Sequence, residues 1–158
     1  MKNLDNLSSD FLLSIVTEKN MSLNTASSYK TDLKVFHTFI SQQNIDIKNI
    51  KKNDMSKFFQ NQRQRGFSDS TVSRRLSAIK QFFKFLVKEG FLDSNPCEDI
   101  KSFKKTKKIP GFLSEKEILK ILDFANSVGK NNVEKARNKA LIEILYASGM
   151  RVSELVSL

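Results

Sequence analysis

Apolar residues recur every three to four positions along almost the whole chain, the period of an amphipathic helix. Leu4, Leu7, Phe11 and Ile15 mark a first helix. Ala26, Tyr29, Leu33, Phe36 and Ile40 mark a second, from about residue 24 to 43. Met55, Phe58, Phe59 and Gln62 predict a third, with Asn53 as its N-cap and Gly66 as its stop. Val72, Leu76, Ile79, Phe83 and Leu86 predict a fourth, opened by Ser68 and closed by Gly90, and Asn95-Pro96 ends the unit. Four such helices with short connections read as a helical bundle. After Gly111 the pattern restarts. Ser114-Glu115-Lys116-Glu117 is a capping box, in which the serine side chain accepts from the third helical amide and Glu117 reaches back. Ile118, Ile121, Leu122 and Ala125 give the next helix its apolar face. A further helix spans about Val133 to Ser148, with Ala136, Ala140, Leu141 and Ile144 inward and Gly149 as its stop. Another begins near Ser153 and reaches Leu158 within two turns. Two and a half helices make a poor independent core, so this second unit reads as truncated.

The fold class is therefore all-α, and composition agrees. Two prolines and five glycines are too few for the many tight turns of a sandwich or barrel. No apolar run reaches the ~18 residues of a membrane span. Met1-Lys2-Asn3-Leu4-Asp5 has no apolar signal region, so a cytoplasmic location is expected. A single cysteine, Cys97, leaves no disulfide within the chain, and with a single histidine it cannot build a Cys₂His₂ zinc site; no metal site is expected.

Charge changes the picture most. The formal net charge is +10, which points to a polyanionic partner, nucleic acid first and an anionic membrane surface second. Residues 1–109 carry +9 of this and residues 110–158 only +1. The stretch from Lys101 to Gly111 holds five lysines and no acid. It reads as an extended linker, either a solvated spacer or a strap whose Lys104, Lys105, Lys107 and Lys108 lie along a phosphate backbone. At about 100° per residue, Ser73, Arg74, Ser77, Lys80, Gln81, Lys84 and Lys88 share one face of the fourth helix, opposite Leu76, Ile79 and Phe83. Such a face suits DNA: the cations neutralise phosphates, while Gln and Ser reach base edges. The alternative is a solvated face. That would intersperse acids, whereas Arg63 to Lys88 contains seven cations and one acid, Asp69.

Little else offers chemistry. His37 lies at the flank of the second helix's apolar stripe and reads as a packing or surface residue. Cys97 has no histidine near it in sequence and reads as an unreactive thiol. Tyr29 and Tyr146 sit among apolar residues and read as packing residues, as do most of the thirteen phenylalanines. Arg151, in the break after Gly149-Met150, is either a structural clamp on Glu154 or an anion ligand near a helix N-terminus.

The segment Leu145-Tyr146-Ala147-Ser148-Gly149-Met150-Arg151-Val152-Ser153-Glu154-Leu155 resembles the surroundings of the first catalytic arginine of the tyrosine recombinases (phage integrases), above all in Gly-x-Arg-x-Ser-Glu-Leu. Other stretches agree in order. Ser22-Leu23-Asn24-Thr25 with Tyr29, Asp32-Leu33, Phe36 and Phe39 is similar to the opening helices of that family's core-binding domain. Ser73-Arg74-Arg75-Leu76-Ser77-Ala78-Ile79-Lys80-Gln81-Phe82-Phe83 is similar to its later DNA-contacting helix. Asn95-Pro96, Ile109-Pro110 and Leu113-Ser114 match the passage into the catalytic domain. The likeness is to the Xer type, nearer its XerD than its XerC branch. Asn138 after Arg137 departs from the family's usual Asp, a change that loosens a local salt bridge.

The resemblance implies a four-helix, SAM-like core-binding domain over 1–100, a basic linker over 101–111 and the first helices of a catalytic domain over 112–158. It implies DNA strand exchange through a 3′-phosphotyrosine, with Arg151 on the phosphate and no cofactor. It implies double-stranded DNA and a second Xer-type recombinase as partners in a heterotetramer that resolves chromosome dimers. The family's other catalytic residues, a lysine, a His-x-x-Arg motif, a further His or Trp and the tyrosine nucleophile, belong downstream of the segment where this chain stops. Two other classes stay open: a DNA-binding module or regulator that does not cleave, and a helical protein whose basic face meets an acidic protein.

Overall fold

A computed structural model describes residues 4–101 and 111–158, in two units. Every described element is helical. In the first unit α1 (Leu4–Thr17), α2 (Leu23–Gln42), a 3₁₀ turn (Ile47–Asn49), α3 (Lys52–Gln64) and α4 (Asp69–Lys88) form the bundle. Ser22 and Ser68 cap α2 and α4, accepting from the Thr25 and Thr71 amides at 3.2 and 3.3 Å. Gly66 and Gly90 follow the helix ends with φ of +79° and +72°, a conformation that costs glycine little. The start of α3 differs from expectation. Its N-cap is Lys51, not Asn53, because Asp54 accepts from the Lys51 amide at 3.0 Å and so opens the helix two residues earlier.

The apolar stripes meet as their spacing requires. Phe11, Phe36, Phe58, Phe82 and Phe83 are fully buried, and Phe36 contacts Phe58 and Phe83 edge-on with centroids 5.3 and 5.8 Å apart. Arg74 meets Ser28 and Asp32, Phe82 meets His37, and Phe83 meets Phe36. These contacts advance along α2 and α4 together, so the two helices run parallel and their N-termini share one end of the bundle. The unit does not end at Pro96, since Cys97 is fully buried and Ile100 packs on the core. Burial pushes the Cys97 thiol up to about 12, which keeps it protonated and unreactive.

His37 is largely buried between Phe36 and Phe82, with Ser8 Oγ at 3.4 Å and Asp5 at 4.0 Å. Burial lowers its pKa below the ordinary 6.5, against the weaker pull of Asp5. A depressed folded pKa means that the unfolded chain takes the proton first. Its contribution is complete above the unfolded value and disappears as pH falls through the folded one. Urea midpoints should therefore drop as pH falls below about 6.5, and His37→Gln should remove that part of the drop. An identical pH dependence in the variant would refute the assignment.

The second unit contains α5 (Glu115–Ala125), α6 (Asn132–Ser148) and α7 (Val152–Val156). The capping box forms as predicted: Ser114 Oγ accepts from the Glu117 amide, and Glu117 Oε2 accepts from the Ser114 amide at 2.8 Å. Gly149 closes α6 in the left-handed conformation, φ +66°. The face of α6 departs from expectation. Ala136, Ala140, Leu141 and Ile144 are exposed, while Ile142 and Leu145 are the half-buried apolar positions. Apolar residues encircle the second half of α6, and packing against α5 and α7 covers only one stripe of them. On α5 only Ala125 is buried and Ile121 stays exposed; Tyr146, expected to pack, is 59% exposed. Asn138 contacts Arg137 and also donates to the Val128 carbonyl at 2.8 Å, a bond that an ionised Asp could not make.

Candidate nucleic-acid interface

Between the N-terminal halves of α2 and α4 lies an open groove of about 550 Å³. Thr25, Ser28, Ser70, Thr71 and Ser77 line it with hydroxyls, and Arg74 reaches into it. Parallel packing puts two capped helix N-termini beside it, each the positive end of a helix dipole. Along α4 the solvent-facing strip continues from Arg74 through Ser77 and Gln81 to Lys84 and Lys88.

The expected α4 residues divide on this frame. Lys84 and Ser77 are exposed. Lys80 is half-buried and donates to the Glu98 carbonyl at 3.3 Å. Gln81 accepts from Lys19 Nζ at 2.8 Å. Lys88 pairs with Glu18 at 3.0 Å, an exposed contact that water screens and a phosphate can replace. Ser73 is 6% exposed, so little of its side chain reaches the surface expected to meet DNA. The helix wheel places it beside the polar strip, but α4 is the central helix, with neighbours on several sides, and the buried arc is wider than an amphipathic pattern suggests. Nine residues of α4 are buried, including Ser73 and Arg75. Lys104, Lys105, Lys107 and Lys108 lie outside the described residues.

Beneath the groove is an ionic cluster that sequence patterning did not expose. Asp32 of α2 is completely buried. Its Oδ2 accepts from Arg74 Nη1 at 2.6 Å and its Oδ1 from Arg75 Nε at 3.3 Å. Arg75 Nη1 also donates to Gln62 Oε1, and its guanidinium lies 4.0 Å from the centre of the Phe67 ring. Burial raises the Asp32 carboxyl above its ordinary value, against the pull of both guanidinia. The only local signal was a charged residue inside each apolar stripe. The groove hydroxyls were equally hidden, because they become neighbours only when two helix starts lie side by side.

In the second unit Arg151 is the N-cap of α7, with its side chain 82% exposed. Its Nη1 donates to Glu154 Oε1 at 2.8 Å and its amide to Glu154 Oε2 at 2.7 Å. These bonds hold the Glu154 carboxyl below its ordinary pKa. The contact is the clamp weighed in the sequence, and its exposure leaves the guanidinium open to an anion. Tyr29 is buried against Phe11 with its hydroxyl pKa raised by burial, a poor setting for a nucleophile. No group of three or more His, Cys, Asp or Glu side chains able to hold a metal occurs among the described residues, and no described helix is long and apolar enough to cross a membrane.

Two family descriptions match this chain: "Phage integrase, N-terminal SAM-like domain" over residues 9–90, and "Phage integrase family" over residues 111–158. Tyrosine recombinase XerC of Roseiflexus sp. (strain RS-1) is 37% identical over 94% of this chain and 47% of its own length. Tyrosine recombinase XerD of Rhizobium meliloti (strain 1021) is 35% identical over 94% of this chain and 49% of its own. Tyrosine recombinase XerC of Rickettsia bellii (strain OSU 85-389) is 40% identical over 89% of this chain and 48% of its own. Identity does not separate the two branches. The chain spans about half the length of the curated relatives it matches.

Proposed function

Because this chain belongs to the phage integrase family, we propose that it is the DNA-gripping part of a site-specific recombinase of the Xer type. The observation that carries this reading is the parallel pairing of α2 and α4, which gathers two helix starts, a hydroxyl-lined groove and a strip of cations on one side of the bundle. Arg74, Ser77, Lys80, Gln81 and Lys84 meet DNA there, and Lys104, Lys105, Lys107 and Lys108 follow its phosphates. Residues 1–100 act as the core-binding domain, 101–111 as the linker and 112–158 as the first part of the catalytic domain. Arg151 leaves Glu154 to stabilise charge on the scissile phosphate. In the whole recombinase a tyrosine attacks that phosphate, forming a 3′-phosphotyrosyl link and freeing a 5′-hydroxyl. The link conserves the bond energy, so strand joining needs no cofactor. A second Xer-type recombinase completes a heterotetramer on the recombination site, and the reaction resolves chromosome dimers before cell division in the cytoplasm.

The 158-residue chain alone should grip DNA without cutting it. Charge stabilisation by Arg151 lowers a barrier only when a nucleophile stands in line with the leaving oxygen, and neither Tyr29 nor Tyr146 has that setting. A nicked suicide duplex should be retarded on a native gel yet give no protein–DNA adduct on a denaturing one. An adduct abolished by Tyr29→Phe or Tyr146→Phe would overturn this account. Absence of retardation at low salt would overturn DNA binding itself.

A further inference from the structure

The Asp32 cluster has a shape that a purely structural ion pair does not need. Two guanidinia share one buried carboxylate, so the group carries one surplus positive charge. Both bonds from Arg74, to Asp32 at 2.6 Å and to the Ser28 carbonyl at 3.1 Å, leave from the same nitrogen, Nη1. An arginine has three further N–H groups on Nε and Nη2. The Arg74 side chain is 40% exposed and reaches into the groove, whereas Arg75 is 6% exposed. Arg75 occupies the other Asp32 oxygen and is itself braced by Gln62 from α3 and by the ring of Phe67. The carboxylate is bonded at both oxygens, and Arg74, which lines the groove, is held through Nη1 alone, leaving Nε and Nη2 outside the cluster.

We propose that Asp32 is a positioning residue for DNA binding: through Arg75 and its own fixed carboxylate it holds Arg74 so that the free edge of the guanidinium meets a backbone phosphate in the α2–α4 groove. This rests on the DNA-binding reading above and adds to it the device that orients one contact. Pre-ordering a long side chain removes part of the conformational cost of binding, and a fixed fork matches phosphate geometry in a way that a free cation does not.

The sign of one measurement separates this from a simple counter-ion. Asp32→Asn adds one unit of positive charge, and long-range electrostatics alone would tighten binding to any duplex. Positioning predicts the opposite. Using the full chain and a random-sequence duplex of about 30 base pairs, between about 50 and 200 mM salt, D32N should bind roughly tenfold more weakly, with a salt slope shallower by about 0.9, one phosphate contact. In an Arg74→Ala background the same substitution should cause no further weakening, since only the long-range charge effect remains. Circular dichroism reports whether D32N folds. If it does not, Arg74→Lys decides, since it keeps the charge, leaves Asp32 ionised and loses the fork; it should show the same weakening and shallower slope. Tighter or unchanged binding by folded D32N, a D32N weakening that survives in the Arg74→Ala background, or unchanged binding by R74K would each overturn the proposal. If the unaltered chain fails to bind duplex at low salt, the underlying DNA-binding reading falls instead.

Discussion

Replacing Arg75 by methionine should cost the first unit about 3–5 kcal/mol, the range for removing one partner of a buried ion pair. The charge deletion leaves Asp32, completely buried, with Arg74 as its one cationic neighbour, and it removes the donor to Gln62 Oε1. Methionine fills much of the same space, so the loss comes from the buried Asp32 Oδ1 and Gln62 Oε1 left without their donor and not from a cavity. Urea denaturation followed by circular dichroism reads it as a fall in midpoint. Arg75→Lys should recover little, because an ammonium cannot bond Asp32 and Gln62 together while stacking on Phe67. Lys88→Met on the same helix removes the same formal charge, but its pair with Glu18 is exposed, and its midpoint should not move. If Arg75→Met and Lys88→Met behave alike, the cluster does not hold α2 to α4.

Duplex affinity should fall about 10³-fold between about 50 and 200 mM salt. Each neutralised phosphate contributes about 0.9 to the slope of log affinity on log salt, so roughly six contacts give a slope near −5. Six is a reasonable count for the cations of the α4 strip together with the lysines that follow residue 101. Changing Lys104, Lys105, Lys107 and Lys108 together to alanine should flatten the slope, and an unchanged slope would make that stretch a spacer. Gln81→Ala should instead lower the preference for a recombination site over random duplex, by about 1–3 kcal/mol for a bidentate base contact. Equal losses on both duplexes would assign Gln81 to the backbone or to Lys19, which already holds it. A slope near zero would mean that the duplex is not held through its phosphates.

What could be read along the chain was what depends on neighbours in sequence. Ser68 and Ser114 each cap the helix beginning just after it, and Gly66, Gly90 and Gly149 each follow a helix end, because capping joins residues within one turn. Leu7, Phe11, Ile15, Leu33, Phe36 and Ile40 point inward because a 3.6-residue period requires it. The motif around Arg151 needed no fold to be recognised. One misreading was local, and the others arose where distance in sequence hides proximity in space. Asn53 lost the cap to Lys51 only through the reach of Asp54. Along α4 the cations looked almost free of acids, yet Glu18 from the turn after α1 and Asp32 from α2 pair with Lys88, Arg74 and Arg75. Ser73 looked exposed because a helix wheel knows its own axis and not how many helices surround it. By itself, then, the sequence determined the helices, the apolar faces of the first unit and the family. Tertiary structure alone decided which polar residues are free: packing α2 parallel to α4 buries one carboxylate, commits two arginines to it, and leaves one of them half-exposed at the groove.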